Sequence, residues 1–475
     1  MVEQVERWGI LELTLAGPAD GNPFVDVELT AEFQFRNRIV VVDGFYDGDG
    51  SYKIRFSPDQ EGRWWYRTAS SAAELTGLTG EFEVGPPAAG NHGPVRVVGG
   101  WRFEYADGTR HESYGTTCYH WTHTGDEDHE QRTLASLAAS PFNKVRMCLL
   151  PTAAMTPPRL AFVGDTPGQL DPARFDPDFF AHFEARIADL LRLGIEADVI
   201  IFHPYDKGHW GVDNLTPEQD RFLVRYVVAR LGAFRNVWWS MSNEFDFNRA
   251  KTMIDWDRLL QYLQRIDPYR RPASIHNGTA MFEHASIYDF GKPWTTHQSI
   301  QHWDARLTRE WREQHPKPVL LDELGYEGDI DRRWGNLTGQ TITRRFWEGM
   351  TAGGFVGHGE CFVDTDHRWI SSGGTLIGES PERIAFLRRI IDEGPADWIA
   401  ARDHGYRLDY FGDRRPDYYE LDLGEAEHRV ELIDTWAMTI EALPGRFSGR
   451  CRIPLGRTEL AVRIRRVDPV TEGAR

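Results

Sequence analysis

The chain has few cysteines, no long apolar run and no surplus of positive charge, and each shortage closes off a class of function. Its four cysteines, Cys118, Cys148, Cys361 and Cys451, show no CxxC spacing and no regular interval, so neither a zinc site nor a disulfide framework is expected. Reduced thiols in a cytoplasm fit that usage. No apolar run approaches the roughly 20 residues that span a bilayer, and the first residues lack the basic stretch followed by an apolar one that marks an exported chain. A cytoplasmic location away from any membrane is therefore expected. With 54 Lys and Arg against 72 Asp and Glu, the net charge is −18, which argues against nucleic acid and anionic membrane surfaces as partners, because both require a basic footprint. A neutral or only locally charged ligand is left.

What is present points to a soluble globular protein of more than one domain: 475 residues, 41% hydrophobic and 27% charged. Residues 7–86 read as short alternating strands, such as 25–35 and 51–57, separated by Gly/Asp turns like Asp47-Gly48-Asp49-Gly50; this is the pattern of a β-sandwich. The Pro/Gly-rich stretch 85–94 has little to bury and marks a boundary. Strand-like runs at 112–119, 144–150, 196–202, 237–242, 273–276, 294–297, 318–323 and 354–362 then alternate with helical ones, including 179–193 and 217–231. Eight such steps predict an α/β fold, a (β/α)8 TIM barrel. After Gly394-Pro395 the helical period gives way to short strands, predicting a small C-terminal β-sandwich. The expected division is 1–90, 100–394 and 395–475.

Two runs carry the chemistry. Residues 238–246, WWSMSNEFD, and 317–326, KPVLLDELGY, each take a largely apolar strand into a glutamate, Glu244 and Glu323. A carboxylate where a buried strand opens lies at the sheet edge that α/β folds reserve for chemistry. The interval between them accommodates three strand-to-strand steps of roughly 26 residues, close to a βαβ unit, so Glu244 and Glu323 fall on barrel strands four and seven. The 17 tryptophans, several near predicted strand ends, offer flat apolar faces of the kind that suit sugar rings.

Ser242-Asn243-Glu244 on a fourth strand and Asp322-Glu323-Leu324-Gly325 on a seventh resemble the retaining glycoside hydrolases with catalytic glutamates on those strands. Residues 50–66 of the first module and 107–121 at the first barrel strand extend the resemblance to apiosidase-like glycosidases, in which the barrel lies between an N-terminal immunoglobulin-like module and a C-terminal β-domain. The resemblance implies Glu244 as general acid/base and Glu323 as nucleophile, and it implies that Asn243 bonds a sugar hydroxyl. Strand alternation alone points Asn243 away from Glu244. The mechanism needs carboxyl groups about 5 to 5.5 Å apart, one protonated and one ionised. A retaining, exo-acting enzyme that uses no cofactor and no metal is expected, with an oligosaccharide or glycoside substrate and a capacity to form homo-oligomers through its β-domains.

Further polar or aromatic residues near strand ends are candidate substrate ligands: Arg146, which could instead hold Glu323 ionised, His203 and Tyr205 after strand three, and His276 and His297 after strands five and six. His120 and Trp121 follow strand one, where Trp121 could form a stacking wall or simply pack in the core; His358 and Glu360 lie on strand eight, where the related enzymes often carry a tryptophan platform that this sequence lacks, which makes Glu360 a substrate ligand or the runner-up catalytic carboxylate. Two rival readings remain. A metal-dependent barrel hydrolase would draw on His120, His123, His203, His276, His297 and His358 as ligands, although His120 and His123 would point to opposite faces of a strand. A non-catalytic carbohydrate-binding protein would be expected to have lost one of the two glutamates. The acidic turn from Asp364 to His367 could take calcium, but as a solvated turn it needs no ion.

Overall fold

The computed structural model describes residues 3–278, 287–363, 365, 367–399 and 405–467. Eight parallel strands form its central sheet: Tyr114–Thr117, Lys144–Cys148, Glu196–Phe202, Val237–Ser242, Ala273–Ser274, Gln298–Gln301, Val319–Glu323 and Phe355–His358, here strands one to eight. Their order around the sheet is five, four, three, two, one, eight, seven, six. A parallel bridge from His276 to Ser299 links strand five to strand six, so the sheet closes into the expected barrel.

The crossover helices form where capping and periodicity agree. Pro177–Arg192 starts at Asp176, whose side chain accepts from the backbone of Asp178 and Phe179, and buries Phe180, Phe183, Ile187 and Leu190 along one face. Pro217–Leu231 opens with a reciprocal capping box between Thr216 and Gln219. A three-stranded sheet, Val95–Val98, Arg102–Tyr105 and Arg110–His111, closes the floor of the barrel. Its Phe103 ring lies 4.8 Å from Trp238, 5.2 Å from Phe355 and 5.9 Å from His297.

Strands three and four match the sequence reading residue for residue, but strand six does not. The expected run is 294–297, yet the strand is Gln298–Gln301. Its side chains are mostly polar because it faces a barrel interior that is itself polar, so apolar periodicity misses it. His297 therefore precedes strand six instead of ending it. Strand eight stops at His358, and Glu360–Cys361 pairs separately with Glu327–Gly328.

On the N-terminal side, a five-stranded and a three-stranded sheet face each other across a core in which Phe33 stacks on Phe56 at 4.0 Å and Trp64 and Phe82 are buried. Arg55 and Arg230 clamp this sandwich to the barrel: Arg55 binds Glu184 at 2.7 Å, and Arg230 binds Glu184 at 2.5 Å and Asp47 at 2.7 Å. The C-terminal part has a four-stranded and a two-stranded sheet around Val430, Ile453 and Val462. No described helix is long and apolar enough to cross a membrane.

Glu184→Ala leaves two buried guanidiniums without their shared carboxylate. Removing one partner of such a cluster costs about 3 to 5 kcal/mol, so the urea midpoint should fall markedly, with little change in the slope of the transition.

Candidate functional site

The barrel interior carries a ladder of charge. Lys144 on strand two donates to Asp198 and Asp322, both at 2.7 Å. Arg146, two residues further along, approaches Asp198 at 3.5 Å, donates to Asn243 Oδ1 at 2.7 Å and reaches Glu323 Oε1 at 3.3 Å. All six residues are buried, and the ladder rises to the C-terminal mouth, where Glu244 and Glu323 lie.

Two backbone irregularities bring the carboxylates in. Glu244 follows strand four in the left-handed region, φ 40° and ψ 49°, a conformation that costs a non-glycine residue energy and concentrates at functional sites. Leaving the pleat there lets Asn243 and Glu244 share one site, against strict alternation: Asn243 Nδ2 donates to Tyr205 Oη at 2.5 Å and to Glu323 Oε1 at 3.4 Å. On strand seven the register with strand six slips, so that Ile300 pairs with Leu321 and Gln301 with Glu323. Asp322 is the extra residue of this bulge, and the consecutive carboxylates Asp322 and Glu323 both point inward.

Gln301 joins the pair. Its Nε2 donates to Glu244 Oε1 at 3.0 Å and to Glu323 Oε2 at 2.6 Å. Because one nitrogen makes both bonds, the two oxygens are no farther apart than those lengths laid end to end, which is less than the roughly 6.5 to 9.5 Å that separate the carboxyls of an inverting pair. Glu323 also accepts from the hydroxyls of Tyr119 and Tyr326. Gly359 makes the second contact possible, since a Cβ there would stand 2.1 Å from the Tyr326 ring.

The two carboxyls differ electrically. Burial, and then the negative charge of Glu323, raise Glu244 to about 7, against the smaller opposing effects of Gln301 and Tyr205, whose hydroxyl donates to Glu244 at 3.0 Å. For Glu323 burial also disfavours charge, but the cation that His276 becomes in acid, then Arg146 and the Tyr119 hydroxyl, outweigh it and hold the group well below the usual carboxylate range. One carboxyl is thus poised to give a proton while its neighbour is ionised. A cavity of about 630 Å³ opens at Tyr205, with Lys207, Asn214, Phe247 and Asn248 on its walls.

Of the residues singled out in the sequence, Arg146, Tyr205, Asn243, Glu244, His276 and Glu323 converge here. The others do not. His203 spends both ring nitrogens on backbone, Nε2 on Leu150 O at 2.8 Å and Nδ1 on Tyr205 N at 3.2 Å, and stacks on Tyr205 at 5.0 Å, so it positions that tyrosine and has nothing left for a sugar hydroxyl. His120 is packed between the rings of His123 and His203, and Trp121 is 0% exposed within the core, so it forms no stacking wall. His297 lies on the floor against Phe103 and Trp238. His358 alternates outward, bonding Thr116 and stacking on Phe142 at 4.7 Å. Glu360 accepts the backbone N–H groups of Ile377 and Gly378, while the neighbouring Glu327 accepts those of Glu379 and Ser380; both fasten the start of the helix Ser380–Asp392. Of the six histidines of the metal reading, His120, His123 and His203 lie together, with Cys148 beside His120 and His203, while His276, His297 and His358 stand at separate places in the barrel. Asp364 and Asp366 of the acidic turn lie outside the described residues.

Sequence reasoning left Gln301, Tyr119 and Tyr326 out of the site. Gln301 was hidden by the misplaced sixth strand. Tyr119 ends the strand-one run at 112–119, where nothing in the sequence marks its hydroxyl, and Tyr326 carries no signal beyond its place three residues after Glu323.

A closed parallel barrel that brings glutamates from strands four and seven to one mouth has the architecture of a glycoside hydrolase. The apiosidase-like catalytic domain model matches residues 99–359, with domains of unknown function, DUF5060 at 4–71 and DUF5605 at 396–465, on either side. The chain belongs to the apiosidase-like family. It shares 38% identity and a TM-score of 0.91 with a solved structure from Bacteroides vulgatus described as a "putative glycoside hydrolase", over 98% of this chain and 100% of that one. A family 5 glycoside hydrolase from the same organism, 15% identical over 80% of this chain and 95% of its own with a TM-score of 0.63, shares the fold. No curated protein sequence matches.

Gln301→Leu removes a donor that favours the charged form of both carboxylates. The ¹³C carboxyl titration of Glu244 should move upward from about 7, and an unmoved or lowered midpoint would show that the bridge does not act on it.

Proposed function

We propose that the chain is a retaining glycosidase in which Glu323 is the nucleophile and Glu244 the general acid/base. The observation that supports this reading is the shared bond from Gln301, which keeps an ionised and a protonatable carboxyl closer together than the pair of an inverting enzyme. In the first step Glu323 bonds to the anomeric carbon as the glycosidic C–O bond breaks, and the Glu244 proton passes to the departing oxygen. In the second, water gives its proton to Glu244 and bonds to the same carbon, and the ester to Glu323 breaks. The sugar leaves with its anomeric configuration retained. Asn243 and Arg146 align Glu323, while Asn243 and Tyr205 together fix the approach to Glu244.

The exo preference and the cytoplasmic location stand on the sequence alone, as do the three-way division at 1–90, 100–394 and 395–475, the immunoglobulin-like character of the first module and self-association through the β-domains. Analysis of product length tests the first of these; release of internal oligomers from a polysaccharide would refute it.

The activity is tested with a panel of aryl glycosides and oligosaccharides that includes apiosyl glycosides, the sugar named in the family description. Glu323→Ala should abolish release. Glu244→Gln should lower kcat by about 10² to 10⁴-fold, the range of general acid/base catalysis, and less for substrates with acidic leaving groups. Turnover that Glu244→Gln leaves intact, or a first-formed sugar of inverted configuration by proton NMR, would overturn the mechanism.

The rate should follow a bell in pH. Glu244 must be protonated, so activity is lost as pH rises through about 7, and Glu323 must be ionised, so it is lost again only when pH falls into that group's depressed range. The two apparent values belong to the pair. A kcat/KM that climbed steadily through pH 9 would contradict this assignment.

A further inference from the structure

Strands five, six and seven carry a second chain of polar contacts behind the nucleophile. Lys144 Nζ donates to Asp322 Oδ1 at 2.7 Å, Ser299 Oγ donates to Asp322 Oδ2 at 2.5 Å, and His276 Nδ1 lies 2.9 Å from Ser299 Oγ. The other ring nitrogen of His276, Nε2, faces Glu323 Oε1 at 3.5 Å and makes no hydrogen bond. Each of these side chains is buried.

The inventory of protons decides the state of His276. The carboxyl of Asp322, held ionised against its burial by Lys144 and Arg146, can only accept. The single proton of the Ser299 hydroxyl is therefore committed to Asp322, and a lone pair of Oγ is turned toward His276 Nδ1. A lone pair on Nδ1 would then oppose a lone pair on oxygen, so Nδ1 must carry a hydrogen. A neutral imidazole has only one, and Nε2 is left bare beside Glu323.

Resting on the assignment of Glu323 as nucleophile, we propose that Ser299, oriented by Asp322, is a positioning residue that locks His276 in its Nδ1–H form, so that a neutral His276 withholds a hydrogen bond from Glu323. The bond from His276 to Glu323 then exists only in the imidazolium, and bond and positive charge arrive together. Burial and the charge of Arg146 disfavour that cation, while Glu323 and Asp322 favour it, with the first pair the stronger. Glu323 already accepts from Arg146, Tyr119, Asn243, Gln301 and Tyr326. A sixth donor would further stabilise its charge in the ground state and blunt its attack on carbon; Ser299 prevents this by holding the ring's one proton on the far side.

The test is ¹⁵N NMR of the histidine-labelled protein, with the His276 signals assigned by their loss in His276→Gln. At neutral pH the wild type should show a protonated Nδ1 and a bare Nε2, passing to the doubly protonated ring on acidification. In Ser299→Ala the proton should move to Nε2, and kcat should fall about tenfold at little change in KM, the factor that one hydrogen bond to an ionised group supports. Ser299→Thr, which keeps the hydroxyl, should restore both the tautomer and the rate. A neutral wild-type ring protonated at Nε2, or a Ser299→Ala protein with its tautomer unchanged, would overturn the proposal. The tautomer readouts need no substrate, so they fail or succeed separately from the glycosidase reading; should Ser299→Ala not fold, the wild-type spectrum alone decides.

Discussion

The guanidinium of Arg146, enclosed by the barrel, ties strand two to strands three, four and seven through Asp198, Asn243 and Glu323. Enclosing a cation this way is expensive, and the cost is recovered only while its acceptors stay in place. The spacing of those strands at the mouth is therefore fixed by electrostatics as well as by packing. Lys144 does the same one layer deeper, between Asp198 and Asp322. The ladder does little for net stability, since an apolar filling of equal volume would serve as well. What it provides is an ionised carboxylate, Glu323, at a defined point beside a protonatable one.

Reaching that point required departures from regular strand geometry. Alternation would have placed only one residue of each pair, Asn243 and Glu244 or Asp322 and Glu323, inside the barrel. The left-handed residue at Glu244 and the bulge at Asp322 bring both members of each pair in. Asp322 then anchors Lys144 and Ser299 while Glu323 is free for chemistry. The strained backbone and the concentration of buried charge coincide at the same strand ends, as expected where a fold spends stability on a site.

How far the sequence could be read depended on what each strand faces. Strands three and four, apolar and followed by His203 and by Asn243-Glu244, were legible to the residue. Strand six, Gln298–Gln301, was not, because its inward residues Ser299 and Gln301 serve a polar interior and give no hydrophobic signal. That single slip hid Gln301, which bonds both carboxylates, and promoted His297, which lies on the floor. His358 and Glu360 shared a run with strand eight, but the pleat turns the first outward and the start of a helix claims the second. His203 was rightly placed at a strand end, yet its backbone contacts could not be foreseen from composition or spacing.

The sequence by itself determined the barrel with β-sheet modules on either side, and it set two glutamates at the ends of the fourth and seventh strands, because periodicity and turn residues are local and survive in one dimension. The family resemblance, carried by contiguous motifs, was legible for the same reason. Only the tertiary structure decided which polar side chains meet those glutamates, which one holds a proton and which is ionised. Burial, a neighbouring charge and the direction of a hydrogen bond are properties of residues far apart in the chain, and they arise only when Tyr119, Arg146, Gln301 and Tyr326 are folded around one carboxylate.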